Sequence, residues 1–123
     1  MIRILDDRRN LLTVEASGRL SEQDYEILVP RLEAEIRRRG RLRLLILLRD
    51  FEGWTPKALL EDLRFDVRHH DDFDQVAIVG ERKLEELATR LSAPFFSGSM
   101  RFFEDESEAR GWLGEERSKA PVT

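Results

Sequence analysis

The stretch Leu42-Arg43-Leu44-Leu45-Ile46-Leu47-Leu48 decides the fold. It is nearly continuous in apolar residues, with only Arg43 breaking it. Such a run suits a strand buried on both faces, the mark of a parallel sheet with helices on both sides. The chain on either side of it fits that reading. Upstream, Ile2 and Ile4, then Leu12, Val14 and Ala16, alternate with polar residues in two short runs. Asp6-Asp7-Arg8-Arg9-Asn10 lies between them as a polar connection of hairpin length, so an antiparallel pair is expected, with Gly18 ending its second strand. Ser21, with Asp24 three residues later, resembles a capping box. Tyr25, Leu28, Val29, Leu32 and Ile36 then share one helical face, Pro30 bends the helix, and Gly40 stops it.

Downstream of the central run, residues 49–54 read as a loop, and Thr55-Pro56 as a helix start with proline at the first position. The second helix is expected to turn Leu59, Leu60, Leu63 and Val67 inward and to end near His70. Residues 76–79 form a short strand closed by Gly80. Leu84, Leu87, Ala88 and Leu91 make a third helical stripe, ended by Pro94. Residues 100–103 are a last strand, and Asp105 opens a last helix docked by Ala109, Trp112 and Leu113. The expected fold is therefore α/β, a single layered domain. Its mostly parallel five-stranded sheet carries an antiparallel N-terminal hairpin and four helices. The domain takes residues 1–114, and residues 115–123 are expected to form a flexible tail.

Composition removes whole classes of function. A length of 123 residues suits one domain, and 41% apolar residues are too many for a disordered chain. Charged residues make up 37%, well above the usual quarter or so, but 21 basic against 25 acidic leaves a net charge of −4. That balance argues against nucleic acid as a partner. With no cysteine, disulfides, thiol catalysis and cysteine-ligated zinc are excluded. The longest uninterrupted apolar run, residues 44–48, is far short of a membrane span, and the N-terminus lacks the apolar stretch of a signal peptide. A soluble cytoplasmic domain is expected.

Catalytic signatures are missing as well. There is no phosphate-binding loop, dinucleotide fingerprint, nucleophile elbow or paired-histidine zinc helix. The only histidines, His69 and His70, are adjacent. A non-catalytic protein without cofactor is expected. Asp62, Asp66 and His70 fall at four-residue steps on the second helix, a spacing that could hold a divalent cation. The plainer reading, a wet helix face with a histidine near the negative helix end, is preferred, and no metal is expected. Arg37, Arg38, Arg39, Arg41 and Arg43 form the densest basic cluster. It reads as a solvated helix end, with peripheral contact to an anionic membrane as the functional alternative.

The aromatic residues carry more. Phe51 and Trp54 follow the central strand at its carboxyl end, where ligands bind in open parallel sheets. Phe95-Phe96 lies in another loop. Rings that cannot all reach the core point to an apolar pocket or a membrane-facing patch, against the simpler role of closing the sheet ends. Thr55 opens a helix whose amides favour an anion, or it merely caps that helix. The candidate ligand-binding residues are Asp50, Phe51, Trp54, Thr55, Phe95 and Phe96.

These segments resemble a known family. Residues 44–54, Leu60-Glu61-Asp62-Leu63, residues 69–73, Val76-Ala77-Ile78-Val79-Gly80, Arg101-Phe102-Phe103 and Ala109-x-x-Trp112-Leu113 look, in order and spacing, like small bacterial SpoIIAA-like proteins. The resemblance implies a fold related to STAS domains and CRAL-TRIO lipid carriers. It implies binding of an apolar or amphipathic, lipid-like ligand, or association with membrane. The alternative it implies is a STAS-type module that binds a protein partner, as anti-sigma-factor antagonists do. Those are phosphorylated on a serine at the start of the matching helix. Here Glu52-Gly53-Trp54-Thr55 occupies the region without a serine, which favours the apolar ligand. A homodimer, paired through the hairpin edge or an aromatic patch, is a further expected partner.

Overall fold

A computed structural model of the chain describes residues 1–8, 11–69, 71–84 and 99–114, with only the backbone described for Asp6, Asp7, Arg8, Leu63, Asp66 and Val67. Five strands, β1 (Ile2–Arg8), β2 (Leu11–Leu20), β3 (Leu42–Trp54), β4 (Phe73–Val79) and β5 (Ser99–Phe103), form one sheet in chain order. β1 pairs antiparallel with β2, and every later pairing is parallel. Three α-helices occur among the described residues, α1 (Glu22–Arg39), α2 (Pro56–Arg68) and α3 (Glu106–Trp112), where four were expected. The remaining one, expected on Leu84, Leu87, Ala88 and Leu91, falls on residues 85–98, outside the described residues except for Leu84. That residue ends a short 3-10 turn, Arg82–Leu84. The tail expected at 115–123 is also outside the described residues.

Because strand order follows chain order, right-handed crossovers put α1 and α2 on the same face of the sheet. On that face Leu12, Val14, Leu44, Val76 and Ile78 pack with Leu32 of α1 and Phe65 of α2. The other face would lie open, and α3 covers it. Leu11, Leu45, Leu47, Ala77 and Phe103 pack there against Ala109 and Leu113. Arg43, the one polar break in the central run, points to this side and donates to the Leu113 carbonyl, while Gln75 Nε2 donates to the Trp112 carbonyl at 3.3 Å. Both satisfy carbonyls at the C-terminal end of α3, which the helix itself leaves unpaired.

The helix caps follow the residue chemistry. Asp24 accepts from the Ser21 amide at 2.8 Å and from its hydroxyl at 3.1 Å. α1 runs unbroken through Pro30 to Arg39, and Gly40 beyond it has a φ of 82°. The arginine cluster is largely paired. Arg39 meets Glu35 at 3.0 Å, Arg38 meets Glu35 at 3.6 Å, and Arg41 meets Asp74 at 3.1 Å.

Three local expectations are corrected. The polar connection expected at residues 6–10 is strand as far as Arg8, because β1 takes a register shift between Ile4 and Asp6 and goes on pairing. Gly18 does not end β2, which runs to Leu20. Residues 49–54 are not a loop but the second half of β3.

That half of β3 pairs with β2 irregularly. Ser17 lies opposite Arg49, Gly18 opposite Phe51, Arg19 opposite Gly53 and Leu20 opposite Trp54. β3 therefore carries two extra residues, Asp50 and Glu52, as bulges. Asp50 and Gly53 adopt positive φ, 50° and 105°, as does Gly18, the partner of Phe51, at 64°. A bulge shifts the inward–outward alternation by one residue. Two in succession turn a period of two into a period of three, so Leu48, Phe51 and Trp54 align with Ala16, Gly18 and Leu20 on the α1/α2 face.

Leu45 is fully buried in the central strand, and Leu45→Ala is expected to cost about 2–5 kcal/mol in urea unfolding. Leu60, expected inside, is 48% exposed, so Leu60→Ala should change stability by no more than about 0.5 kcal/mol.

Candidate functional site

Of the stripe expected inside, Leu60 is exposed and Leu59 half-buried, and the side chains of Leu63 and Val67 lie outside the described residues. Ala58, Asp62, Phe65 and His69, at helical steps of four, three and four, turn inward. Ala58 and Phe65 are buried, and Asp62 and His69 line the space beneath the helix. Two polar side chains can face inward because α1 supplies partners for both. The Tyr25 hydroxyl donates to Asp62 Oδ1 at 2.8 Å. His69 Nε2 lies 2.8 Å from Glu33 Oε2, and His69 Nδ1 lies 2.6 Å from Asp72 Oδ2. Tyr25 and Glu33 are eight residues apart on α1, and Asp62 and His69 are seven apart on α2. At about 1.5 Å per residue these spacings match, as two helices running the same way require. The helices are thus clasped at two points about 10–12 Å apart.

Between the clasps and the sheet lies a cleft of about 100 Å³. Ile46, Leu48, Ala16 and Leu28 line it, with Phe51 and Trp54 at the bulged end of β3. An adjoining lobe, also about 100 Å³, shares Tyr25, Leu32, Ile46 and Asp62 with it and adds Phe65, His69 and Met100. Trp54 Nε1 donates to the Tyr25 oxygen at 2.8 Å, so Trp54, Tyr25 and Asp62 form one hydrogen-bonded chain along the wall. Phe51 packs edge-on against Trp54, ring centres 5.0 Å apart.

The two faces of β3 are filled unequally. Leu45 and Leu47, toward α3, are fully buried, whereas Ile46 and Leu48, toward the cleft, are only half-buried. On the cleft face Leu42 and Leu44 are buried, so the under-filled part of that face is at Ile46 and Leu48.

A family model described as SpoIIAA-like matches residues 11–114. The chain belongs to the SpoIIAA-like family. It is similar to the crystal structure of an uncharacterised protein of the DUF3478 family, with a SpoIIAA-like fold, from Shewanella loihica PV-4. Identity is 35%, the TM-score is 0.77, and the match covers 91% of this chain and 93% of that one. No curated protein matches.

In this SpoIIAA-like chain the candidate residues read from sequence separate. Phe51 and Trp54 come together on the cleft wall. Asp50 lies outside it, lining a polar hollow with Glu52, Glu81 and Lys83. Thr55 caps α2, its hydroxyl accepting from the Ala58 amide at 3.2 Å, and its own amide donates to the Leu20 carbonyl at 2.8 Å. Phe95 and Phe96 lie outside the described residues. Of the spacing that suggested a cation, His70 and the Asp66 side chain are outside the described residues, and Asp62 is bonded to Tyr25. Among the described residues no group of three or more His, Asp or Glu side chains is arranged so that it could hold a metal ion, and no helix is long and apolar enough to cross a membrane.

Sequence reasoning missed Tyr25 as more than a core residue, and missed Leu28, Ile46 and Leu48 as cleft lining. The available signal for Tyr25 was its hydroxyl on an otherwise apolar stripe. A tyrosine turned inward needs a polar partner, and Asp62 is that partner.

Tyr25→Phe takes one bond from Trp54 Nε1 and one from Asp62, and is expected to cost about 1–3 kcal/mol with a shift in Trp54 emission. The Glu33 carboxyl is held below its ordinary value of 4.5 by its bond to His69 and then by Arg68. A depressed acid stabilises the fold above pH 4.5, and that contribution is lost as pH falls through the folded-state value. Glu33→Gln should therefore lower the urea midpoint at neutral pH, and the gap from wild type should close as the solution is acidified.

Proposed function

We propose that this domain binds, without turnover, a small apolar or amphipathic ligand in the cleft between the sheet and the α1/α2 pair. One observation carries the reading: Ile46 and Leu48 are half-buried on a central strand where Leu45 and Leu47, on the opposite face, are buried. Well-packed interiors fill such positions, and a ligand that does so gains about 0.8 kcal/mol for each methylene removed from water. The wall supports the same reading. Its polar groups, Trp54, Tyr25 and Asp62, are bonded to one another, which holds the rings in place and gives an otherwise apolar site a single oriented polar spot. Thr55 is engaged as a helix cap, so the structure offers no added support for a phosphorylation switch at that position.

Native mass spectrometry and tryptophan emission with 1-alkanols, from hexanol to decanol, test this. Saturable one-to-one binding is expected, tightening by about fourfold per methylene until the cleft is full. The emission response should disappear in Trp54→Phe and persist in Trp112→Phe. Absence of saturable binding across the series would overturn the reading.

A further inference from the structure

We infer that the ligand is an unbranched chain lying across both lobes of the cleft, from Ala16 to Met100, and that compact ring systems of equal carbon count bind more weakly. This rests on the cleft being the ligand site. Ala16 lies opposite Leu48 and lines the lobe beside Trp54 but not the other. Met100 lies opposite Val76, itself opposite Leu44, and lines only the second lobe. Leu44 and Leu48 are four residues apart on β3, and β2 and β5 are three places apart in the sheet. At about 3.3 Å per residue and about 4.8 Å per strand, Ala16 and Met100 therefore stand about 20 Å apart. Two lobes of about 100 Å³ each, spread over that distance, make a long and narrow site.

The lobes join rather than merely abut. Leu28 of α1 and Ile46 of β3 line both, one from the helix side and one from the sheet. Both are only half-buried, whereas a partition made by their contact would bury them. A rigid ring system fills one lobe and leaves the other unfilled. A chain can bend through the junction and fill both, removing its apolar surface from water along its whole length. Half-buried Met100 suits the far end, because an unbranched thioether adapts its shape to what lies against it.

Isothermal titration of the full chain tests the inference, with 1-alkanols from hexanol to dodecanol and with 1-adamantanol, which has the carbon count of 1-decanol. Affinity is expected to rise by about fourfold per methylene without a break as far as dodecanol. Decanol should bind more tightly than adamantanol by about tenfold or more. In Met100→Phe, which fills the far lobe, dodecanol should lose about tenfold or more while hexanol binds as to wild type. The wild-type series stands even if that variant fails to fold. Three results would each overturn the two-lobe placement and leave the cleft as a ligand site. They are affinity that levels off by octanol, adamantanol binding as tightly as decanol, and equal losses for hexanol and dodecanol in the variant. Failure of every probe to bind would overturn both.

Discussion

The fold depends on burying both faces of one strand. Residues 42–48 of β3 have apolar side chains pointing both ways, so neither side of the sheet can be left to solvent. Parallel pairing to β2 and β4 brings crossover helices with it, and their fixed handedness sends α1 and α2 to one side. The other side then needs its own cover, and α3 provides it. Arg43 fits this scheme rather than breaking it. Its place in the alternation turns it toward α3, where it bonds the carbonyl of Leu113 at the helix end.

The candidate site comes from a disturbance in the same strand. Had β3 kept strict alternation past Leu48, Phe51 and Trp54 would have pointed to opposite faces. The bulges at Asp50 and Glu52 bring both rings to the α1/α2 side, in line with Leu48. Polar contacts then set how closely the helices approach. Tyr25 with Asp62 and Glu33 with His69 hold α1 to α2 at two points, and the apolar space lies between those clasps and the sheet. Gly80 marks how tight the neighbouring packing is. A Cβ there would sit 3.2 Å from that of Leu48, so even alanine at this position would press on a residue of the cleft wall.

Much of this was legible in the sequence. The continuous run at 42–48, the alternation at 12–16, the stripe from Tyr25 to Ile36 and the caps at Ser21, Thr55 and Asp105 are local patterns, and each formed the element it pointed to. The errors share a cause. Residues 49–54 contain charges and a glycine, which read as a loop, but β2 offers a partner edge and bulges absorb the mismatch. Leu60 belongs to an apolar stripe, yet α2 rotates to put Asp62 and His69 inside, because Tyr25 and Glu33 on α1 satisfy them. A polar residue looks like surface until its partner, 37 or 36 residues away, is known.

By itself, then, the sequence determined the class of fold, the order of the described elements, the antiparallel hairpin at one edge and the family. The first three follow from periodicity and capping, which act over a few residues, and the family from the resemblance of its segments. It also singled out Phe51 and Trp54. Tertiary structure alone decided that these two rings share a face and that the polar wall is built from Tyr25 and Asp62. The physical reason is that bulge register, helix rotation and the pairing of buried polar groups are settled between segments far apart in the chain. Each depends on a partner that no local window contains.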